Sequence, residues 1–288
     1  MEIDGKTRVL GLIGDPVEHT LSPLIHQAIA RAQGQNTVYV PFRVVSDELC
    51  DAVRGGVALG ILGLNVTVPH KEAVVPYLKG MDNLAENIGA VNTLALTESG
   101  EGYRGYNTDA LGFKRQLEEI GISLLGKEAI VIGAGGASKA ICYALLLLGV
   151  TKIYLLNRSA DKAHIKFQNL EREGRMTVLP LGEWHKIPRD RYFCAQCTSV
   201  GLSPKTDLSP IEDPDFFELV GCAVDIIYNP PETKFMKLVK SHGGEAYNGL
   251  SMLLYQAVES YSIFTGKRVS QSAIDIVRGV LEEAVWGE

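Results

Sequence analysis

The run Ala129-Ile-Val-Ile-Gly-Ala-Gly-Gly-Ala-Ser138 constrains this 288-residue chain more than any other segment. Ala129 to Ile132 reads as a short buried strand, the glycines as a tight turn, and Ser138 to Leu148 as a helix. Gly133, Gly135 and Gly136 carry no side chain, so the backbone there can turn sharply and let a ligand come close. The unpaired amides that open the following helix then face that ligand, an arrangement suited to phosphate. Strand, glycine turn and helix in this order specify a βαβ unit, and so a largely parallel sheet. No Gly-Lys-Ser/Thr closes the turn, which excludes a Walker loop. Ser138 stands where the usual dinucleotide fingerprint has its third glycine or alanine. A glycine-rich turn with no ligand is the plain alternative; the correct strand and helix on either side favour a dinucleotide.

The next strand, Lys152 to Leu156, supplies the cofactor signal. An acid about 20 residues past the glycines holds the ribose of NAD, whereas an arginine accommodates the 2′-phosphate of NADP. Here Asn157-Arg158-Ser159 stands 21 to 23 residues after Gly136, with Lys162 just beyond. Arg158 and Lys162 suit a phosphate, so NADP is favoured, with NAD left open by the nearby Asp161.

The rest of the chain alternates strands and helices in the same way. Strands are expected at Arg8–Gly14, Thr37–Val44, Gly63–Val68, Met176–Leu179, Tyr192–Cys194 and Cys222–Ile226. Helices are expected at Ser22–Arg31, Asp47–Leu59, about Asp109–Ile120 and Ser159–Arg172. Val91–Leu96 and Gly102–Gly105, split by Ser99-Gly100, read as a hairpin. Gly249 to Trp286 reads as two helices broken at Thr265-Gly266, with no strand to follow, so this tail is expected to pack back on the first part of the chain.

Composition narrows the function classes. With 46% hydrophobic and 22% charged residues the chain is an ordinary globular one, long enough for about two domains. The net charge of −6 and the lack of a basic patch argue against nucleic acid. The longest apolar run, Ala140–Val150, is 11 residues, too short to span a bilayer. Met-Glu-Ile-Asp-Gly-Lys has both charge signs and no apolar stretch, so no signal peptide is expected. Five cysteines form no disulfide framework and fit a reducing cytoplasm.

Three polar segments stand out against this background. Asn65-Val-Thr67-Val-Pro-His-Lys71 follows a buried strand; Gly89-Ala-Val-Asn92-Thr and Gly105-Tyr-Asn107-Thr-Asp109 set amides and an acid beside small residues. If they converge, an ammonium, a carboxylate and neutral donors meet in one place. A lysine beside a carboxylate can pass a proton to an oxygen while a nicotinamide exchanges hydride with carbon. Taken singly, Lys71 reads as a solvated surface lysine, Asp109 as a helix cap, and Asn65 and Asn92 as turn formers.

Together with Gly14-Asp-Pro-Val-Glu-His-Thr20-Leu-Ser22-Pro-Leu-Ile-His26, Gly133–Ala137, Tyr228-Asn-Pro-Pro-Glu-Thr-Lys234 and Asn248-Gly249-Leu-Ser-Met-Leu-Leu-Tyr-Gln256, these blocks follow one another as in shikimate dehydrogenases. From residue 14 to 256 the chain resembles that family, which reduces 3-dehydroshikimate to shikimate with NADPH in the shikimate pathway of aromatic amino-acid biosynthesis. The resemblance implies Lys71 and Asp109 as the catalytic pair, with Lys71 moving the proton. It implies Thr20 and Ser22 on the substrate carboxylate, with Tyr228 near it. Asn65, Thr67, Asn92, Asp109 and Gln256 would bind ring hydroxyls. NADP would be held by Gly133, Ala134, Gly135, Gly136, Ala137, Asn157, Arg158, Ser159 and Lys162, with Ile226 and Gly249 near the nicotinamide. No metal is implied. Thr20 stands where shikimate-specific members carry serine, and quinate-using relatives carry threonine there, so a quinate/shikimate dehydrogenase accepting NAD is the runner-up. Lys162 replaces a second arginine, Ala110 a glycine and Gln196 an asparagine.

The expected architecture is therefore α/β in two domains. Residues 109–248 would form a Rossmann-type doubly wound parallel sheet. Residues 1–108 and 249–288 would form a discontinuous, mixed-sheet catalytic domain completed by C-terminal helices. Oligomeric state stays open, a homodimer included. A nucleotide-sensing module without turnover would need Lys71 or Asp109 to be missing, and both are present. Cys194-Ala-Gln-Cys197 has metal or redox spacing but no second pair to complete a site, so a buried structural role is expected. His19, His26 and His70 lack partners at recognisable spacing and are read as packing residues. Met252 is read as core.

Overall fold

A computed structural model describes residues 3–287. Its internal contacts divide the chain into two units: one runs up to Gly112 and resumes with Leu254–Gly287, and the other is Phe113–Leu253.

In the first unit, β1 (Arg8–Gly14) is buried along most of its length because parallel neighbours flank it on both sides. α1 (Ser22–Ala32) follows, then the edge strand β2 (Thr37–Arg43), α2 (Leu49–Ala58) and β3 (Gly63–Val66). The expected helix from Asp47 begins instead with a separate 3₁₀ turn, Ser46–Glu48. The one-turn α3 (His70–Ala73), β4 (Gly80–Met81) and α4 (Asn83–Ile88) lead to the hairpin β5 (Thr93–Leu96) and β6 (Tyr103–Tyr106), and then to α5 (Thr108–Glu119). Strand β5 starts two residues later than expected: the Val91 amide is taken by the Lys71 carbonyl at 2.8 Å. The sheet order is β2-β1-β3-β5-β6-β4, with β5 antiparallel to both neighbours, so this sheet is mixed. Its core includes Ile13, Val53, Leu64, Val66, Val91, Leu94 and Tyr103, each of them buried. A fully buried aliphatic or aromatic side chain contributes about 1.5–3 kcal/mol.

In the second unit, β7 (Glu128–Ile132) runs into the glycine turn and α6 (Gly136–Leu147), followed by β8 (Lys152–Asn157), α7 (Ala160–Arg172), β9 (Met176–Pro180) and β10 (Tyr192–Gln196). The short α8 (Pro214–Phe217), β11 (Val220–Asp225), α9 (Lys234–Ser241) and β12 (Glu245–Tyr247) complete it. All six strands are parallel in the order β12-β11-β10-β7-β8-β9. This is the doubly wound pattern, whose order reverses next to β7 and puts the ligand position at that strand's carboxyl end. Phe216, Phe217 and Phe235 are fully buried beneath it.

The chain ends in α10 (Leu250–Thr265) and α11 (Gln271–Trp286), separated at Gly266. The last part of α10 and all of α11 belong to the first unit, where α11 packs on α1. No helix among the described residues is long and apolar enough to cross a membrane.

Candidate active site

In the first unit, the segments carrying Lys71, Asn92 and Asp109 meet because neighbouring backbone groups bind one another. Val66 N–H donates to the Asn92 carbonyl at 2.9 Å, Val91 N–H to the Lys71 carbonyl at 2.8 Å, and Asn92 N–H to the Tyr106 carbonyl at 3.1 Å. Lys71 lies on α3, just past the end of β3. Its Nζ donates to Asp109 Oδ2 at 2.6 Å, with the lysine and aspartate side chains 20% and 11% exposed. Asn92 Nδ2 donates to the other carboxylate oxygen, Asp109 Oδ1, at 2.8 Å. Both oxygens of the aspartate thus have a partner.

Asp109 does not cap α5. The helix starts at Thr108, and it is Asn107 Oδ1 that accepts from Ala110 N–H at 3.3 Å, while Asn107 Nδ2 donates to the Ala90 carbonyl. Asp109 therefore sits one residue inside the helix, where its carboxylate points to Lys71. The Asn92 amide is oriented by three donors on Oδ1: Thr108 N–H at 2.7 Å, Thr93 Oγ1 at 3.0 Å and Thr108 Oγ1 at 3.1 Å.

Asn65 is largely used within the protein. Its Nδ2, with two hydrogens to give, lies 3.0–3.1 Å from the Asn92 carbonyl, Thr93 Oγ1 and Ser260 Oγ, and its Oδ1 accepts from Tyr39 at 2.8 Å. One Oδ1 lone pair is left for any other donor. Thr67 is half-buried where β3 ends. Thr20 and Ser22 are joined by a 3.1 Å hydroxyl bond at the start of α1, where the helix amides favour an anion. Gln256 is half-buried on α10, one turn before Ser260.

His26 lies face to face with Tyr39, ring centroids 4.2 Å apart, and both its nitrogens are buried without a hydrogen-bond partner. Burial lowers its pKa to about 3, so it is a neutral packing residue. His70 is fully buried, with Nε2 2.6 Å from the Val44 carbonyl. Neither histidine is positioned as a base.

In the second unit, the glycine turn has the features a dinucleotide requires. Gly133 adopts φ +98°, and a Cβ there would meet Thr198 Cγ2 at 2.6 Å. Gly136 has nothing within 4 Å of where its Cβ would lie, so the protein itself leaves that space open. No side chain caps the first amides of α6, and Gly135 and Gly136 are exposed. Ser138, in the place of the third glycine, donates to the Gly133 carbonyl at 2.6 Å and pins the turn. Asn157 Oδ1 accepts from Ala134 N–H at 3.2 Å, which ties the end of β8 to the turn. Arg158, Ser159 and Lys162 are exposed beside Asn157, and Ala137 opens α6 half-buried. No motif points to Lys166, yet its Nζ reaches back along α7 to the Ala134 and Gly135 carbonyls at 3.4 and 3.1 Å. Taken together, a turn with open space, uncapped amides and nearby cations fit a pyrophosphate and a ribose phosphate.

Gly249 has a packing reason to be glycine: a Cβ would overlap the Ile226 backbone, and its N–H donates to the Ile227 carbonyl at 3.0 Å. Tyr228 is half-buried, and burial raises its phenol pKa. Cys194 and Cys197 are buried and unpaired, with their thiol pKa values raised by burial. Among the described residues no group of three or more His, Cys, Asp or Glu could hold a metal ion.

Gln196, at the end of β10, is fully buried and holds two loops together. Its Nε2 donates to Asp225 Oδ1 at 3.1 Å and its Oε1 accepts from Thr198 N–H at 2.5 Å. Burial pushes the Asp225 carboxyl up to about 6, from an ordinary 3.8, against hydrogen bonds from Thr233, Ile227 N–H and Gln196. A raised folded pKa means the neutral acid is favoured by folding. Stability present below about pH 4 is therefore lost as pH rises through about 6, a shift worth roughly 3 kcal/mol. Asp225→Asn, which stays neutral, should flatten that part of the profile. Denaturant unfolding at pH 5 and pH 8 checks this; equal losses in wild type and variant would sink it.

Comparison with known proteins identifies the family. Residues 12–94 match the family model described as "Shikimate dehydrogenase substrate binding domain", and residues 249–275 match "Shikimate 5'-dehydrogenase C-terminal domain". The chain is 42% identical over 272 residues to the shikimate dehydrogenase (NADP(+)) of Caldanaerobacter subterraneus subsp. tengcongensis, covering 93% of this chain and 95% of that one. It superposes with a TM-score of 0.87 and 29% identity on shikimate 5-dehydrogenase from Listeria monocytogenes in complex with shikimate and NAD, covering 98% of each. For the Thermus thermophilus shikimate 5-dehydrogenase in complex with NADP(H) and shikimate, the TM-score is 0.82 at 29% identity, covering 95% of this chain and 100% of that one. With this identity spread over nearly its whole length, the chain belongs to the shikimate dehydrogenase family.

Proposed function

We propose that this protein reversibly reduces 3-dehydroshikimate to shikimate with NADPH. The observation that carries the reading is the Lys71–Asp109 pair, with Asn92 on the second carboxylate oxygen. NADPH, when bound, supplies the hydride that converts the ring ketone to an alcohol. As that carbon is reduced, its oxygen takes a proton from the Lys71 ammonium. In the reverse direction the alcohol proton passes to the Lys71 amine. Asp109 accepts from Lys71 Nζ and holds the lysine to the reacting oxygen.

The carboxylate of the substrate goes to the Thr20 and Ser22 hydroxyls at the start of α1, and Tyr228 is assigned to the same group. Ring hydroxyls are assigned to Asn65, Thr67, Asn92, Asp109 and Gln256. A polyol acid suits these directional groups, and an analogue lacking a hydroxyl would leave one unpaired and be rejected. Gly133 to Ala137, with Asn157, Arg158, Ser159 and Lys162, would hold the cofactor, and Ile226 and Gly249 are assigned to the nicotinamide side. A cytoplasmic location goes with this reading, since all five cysteines are unpaired.

A second reading, a quinate/shikimate dehydrogenase accepting NAD, draws on Thr20, whose methyl would narrow the carboxylate site, and, for NAD alone, on the Listeria relative solved with shikimate and NAD. Measuring kcat/KM for shikimate and quinate with each cofactor separates the two. The first reading expects shikimate with NADP⁺ to exceed every other combination by about tenfold or more, one well-made contact's worth of discrimination. A quinate or NAD⁺ preference would favour the second.

A further inference from the structure

Ser260 lies in the interior of α10 among buried Ala257, Val258, Tyr261 and Phe264, and is itself fully buried. A hydroxyl there is unfavourable unless it finds partners, since alanine makes a better helix and needs none. Four polar atoms lie within hydrogen-bond reach of the Ser260 hydroxyl. It donates to the Gln256 carbonyl at 2.8 Å, accepts from Asn65 Nδ2 at 3.0 Å, and lies 2.9 Å from both Thr93 Oγ1 and Thr108 Oγ1. Those two threonines are the ones that bind Asn92 Oδ1, and so turn Asn92 Nδ2 toward Asp109. One hydroxyl on α10 therefore brings that helix against three segments distant from it in sequence: β3, β5 and the start of α5.

The bond to the preceding turn is not what distinguishes it. Ser262, two residues on, makes the same kind of bond to the Val258 carbonyl at 2.8 Å. The difference lies in the contacts of Ser260 with Asn65, Thr93 and Thr108.

We infer that Ser260 is a positioning residue: it seats α10 against Asn65, so that Gln256 and Asn65 are already in place when substrate arrives, while Asn92 and Asp109 stay held by Thr108 N–H and Lys71. This inference rests on the shikimate reading above, because it assigns Gln256 and Asn65 to the ring hydroxyls. Groups that bind ground state and transition state alike act on KM and leave kcat unchanged.

The test compares purified wild type, Ser260→Ala, Ser260→Cys and Ser262→Ala by steady-state kinetics with shikimate and NADP⁺. Ser260→Ala should raise KM for shikimate about tenfold, with kcat and KM for NADP⁺ within about twofold. Ser260→Cys, of similar size with a weaker donor, should recover part of the loss. Ser262→Ala should behave as wild type. An unmoved KM in Ser260→Ala, an equal rise in Ser262→Ala, or a matching rise in KM for NADP⁺ would each overturn the inference while leaving the shikimate reading intact. Wild type that neither binds nor oxidises shikimate would overturn both. If Ser260→Ala fails to fold, Ser260→Cys carries the same comparison: a raised KM for shikimate alone supports the role, and wild-type kinetics contradict it.

Discussion

Replacing Lys71 with alanine should lower kcat for shikimate oxidation by about 10²–10⁴-fold, the usual worth of a positioned general acid or base. The shikimate dissociation constant should stay largely as it is. The reason lies in the geometry: Lys71 Nζ is 2.6 Å from Asp109 Oδ2 and the lysine side chain is only 20% exposed, so the pair is held in place. Truncating the lysine leaves Asn92 on Asp109 Oδ1 and leaves Thr20 and Ser22 untouched. Lys71→Arg should not rescue turnover, since a guanidinium keeps the charge but does not give up its proton near neutral pH. Rapid-mixing kinetics and calorimetric titration measure the two quantities. Unchanged turnover in Lys71→Ala would remove the proton-transfer role.

Gly133→Ala should be the most damaging single change at the cofactor turn. The residue adopts φ +98°, and a Cβ there would meet Thr198 Cγ2 at 2.6 Å and the Cys197 carbonyl at 3.3 Å. Left-handed strain and overpacking together put the cost at about 2–4 kcal/mol of stability. Gly136→Ala is the informative contrast, because its Cβ would enter space the protein leaves open. That variant should keep its stability yet bind NADPH about tenfold or more weakly, because the methyl group takes the ligand's room. Thermal unfolding and fluorescence titration with NADPH separate the two effects. Equal stability of Gly133→Ala and wild type would contradict the first, and undiminished NADPH binding by Gly136→Ala the second.

Much of this is legible in the residues. β1, β7 and β8 are buried on both faces and so appear as continuous apolar runs, readable without a partner. The two-residue β4, three-residue β12 and six-residue α4 are too short to show a period, and tertiary packing alone gives them their form. At the site, Lys71, Asn92 and Asp109 stand in recognisable blocks. What those blocks do not reveal is the direction of the Asn92 amide, which depends on Thr108 16 residues away. Ser260 is unreadable for the same reason, since its contact with Asn65 spans 195 residues. A capping role for Asp109 is equally plausible from the sequence, and only the start of α5 at Thr108 shows that Asn107 takes it. Gly249 reads as a ligand contact in its block, but the overlap its Cβ would make with the Ile226 backbone gives it a reason of its own.

The role proposed for the Lys71–Asp109 pair of the first unit is to serve hydride exchange between shikimate and NADP. It is tested most directly by following NADPH absorbance as shikimate is added to the purified protein with NADP⁺, beside Lys71→Ala under the same conditions. Wild type should give a steady rise that needs both reactants, and the variant almost none. A flat trace from folded wild type that binds both reactants, or equal rises from the two proteins, would contradict this role.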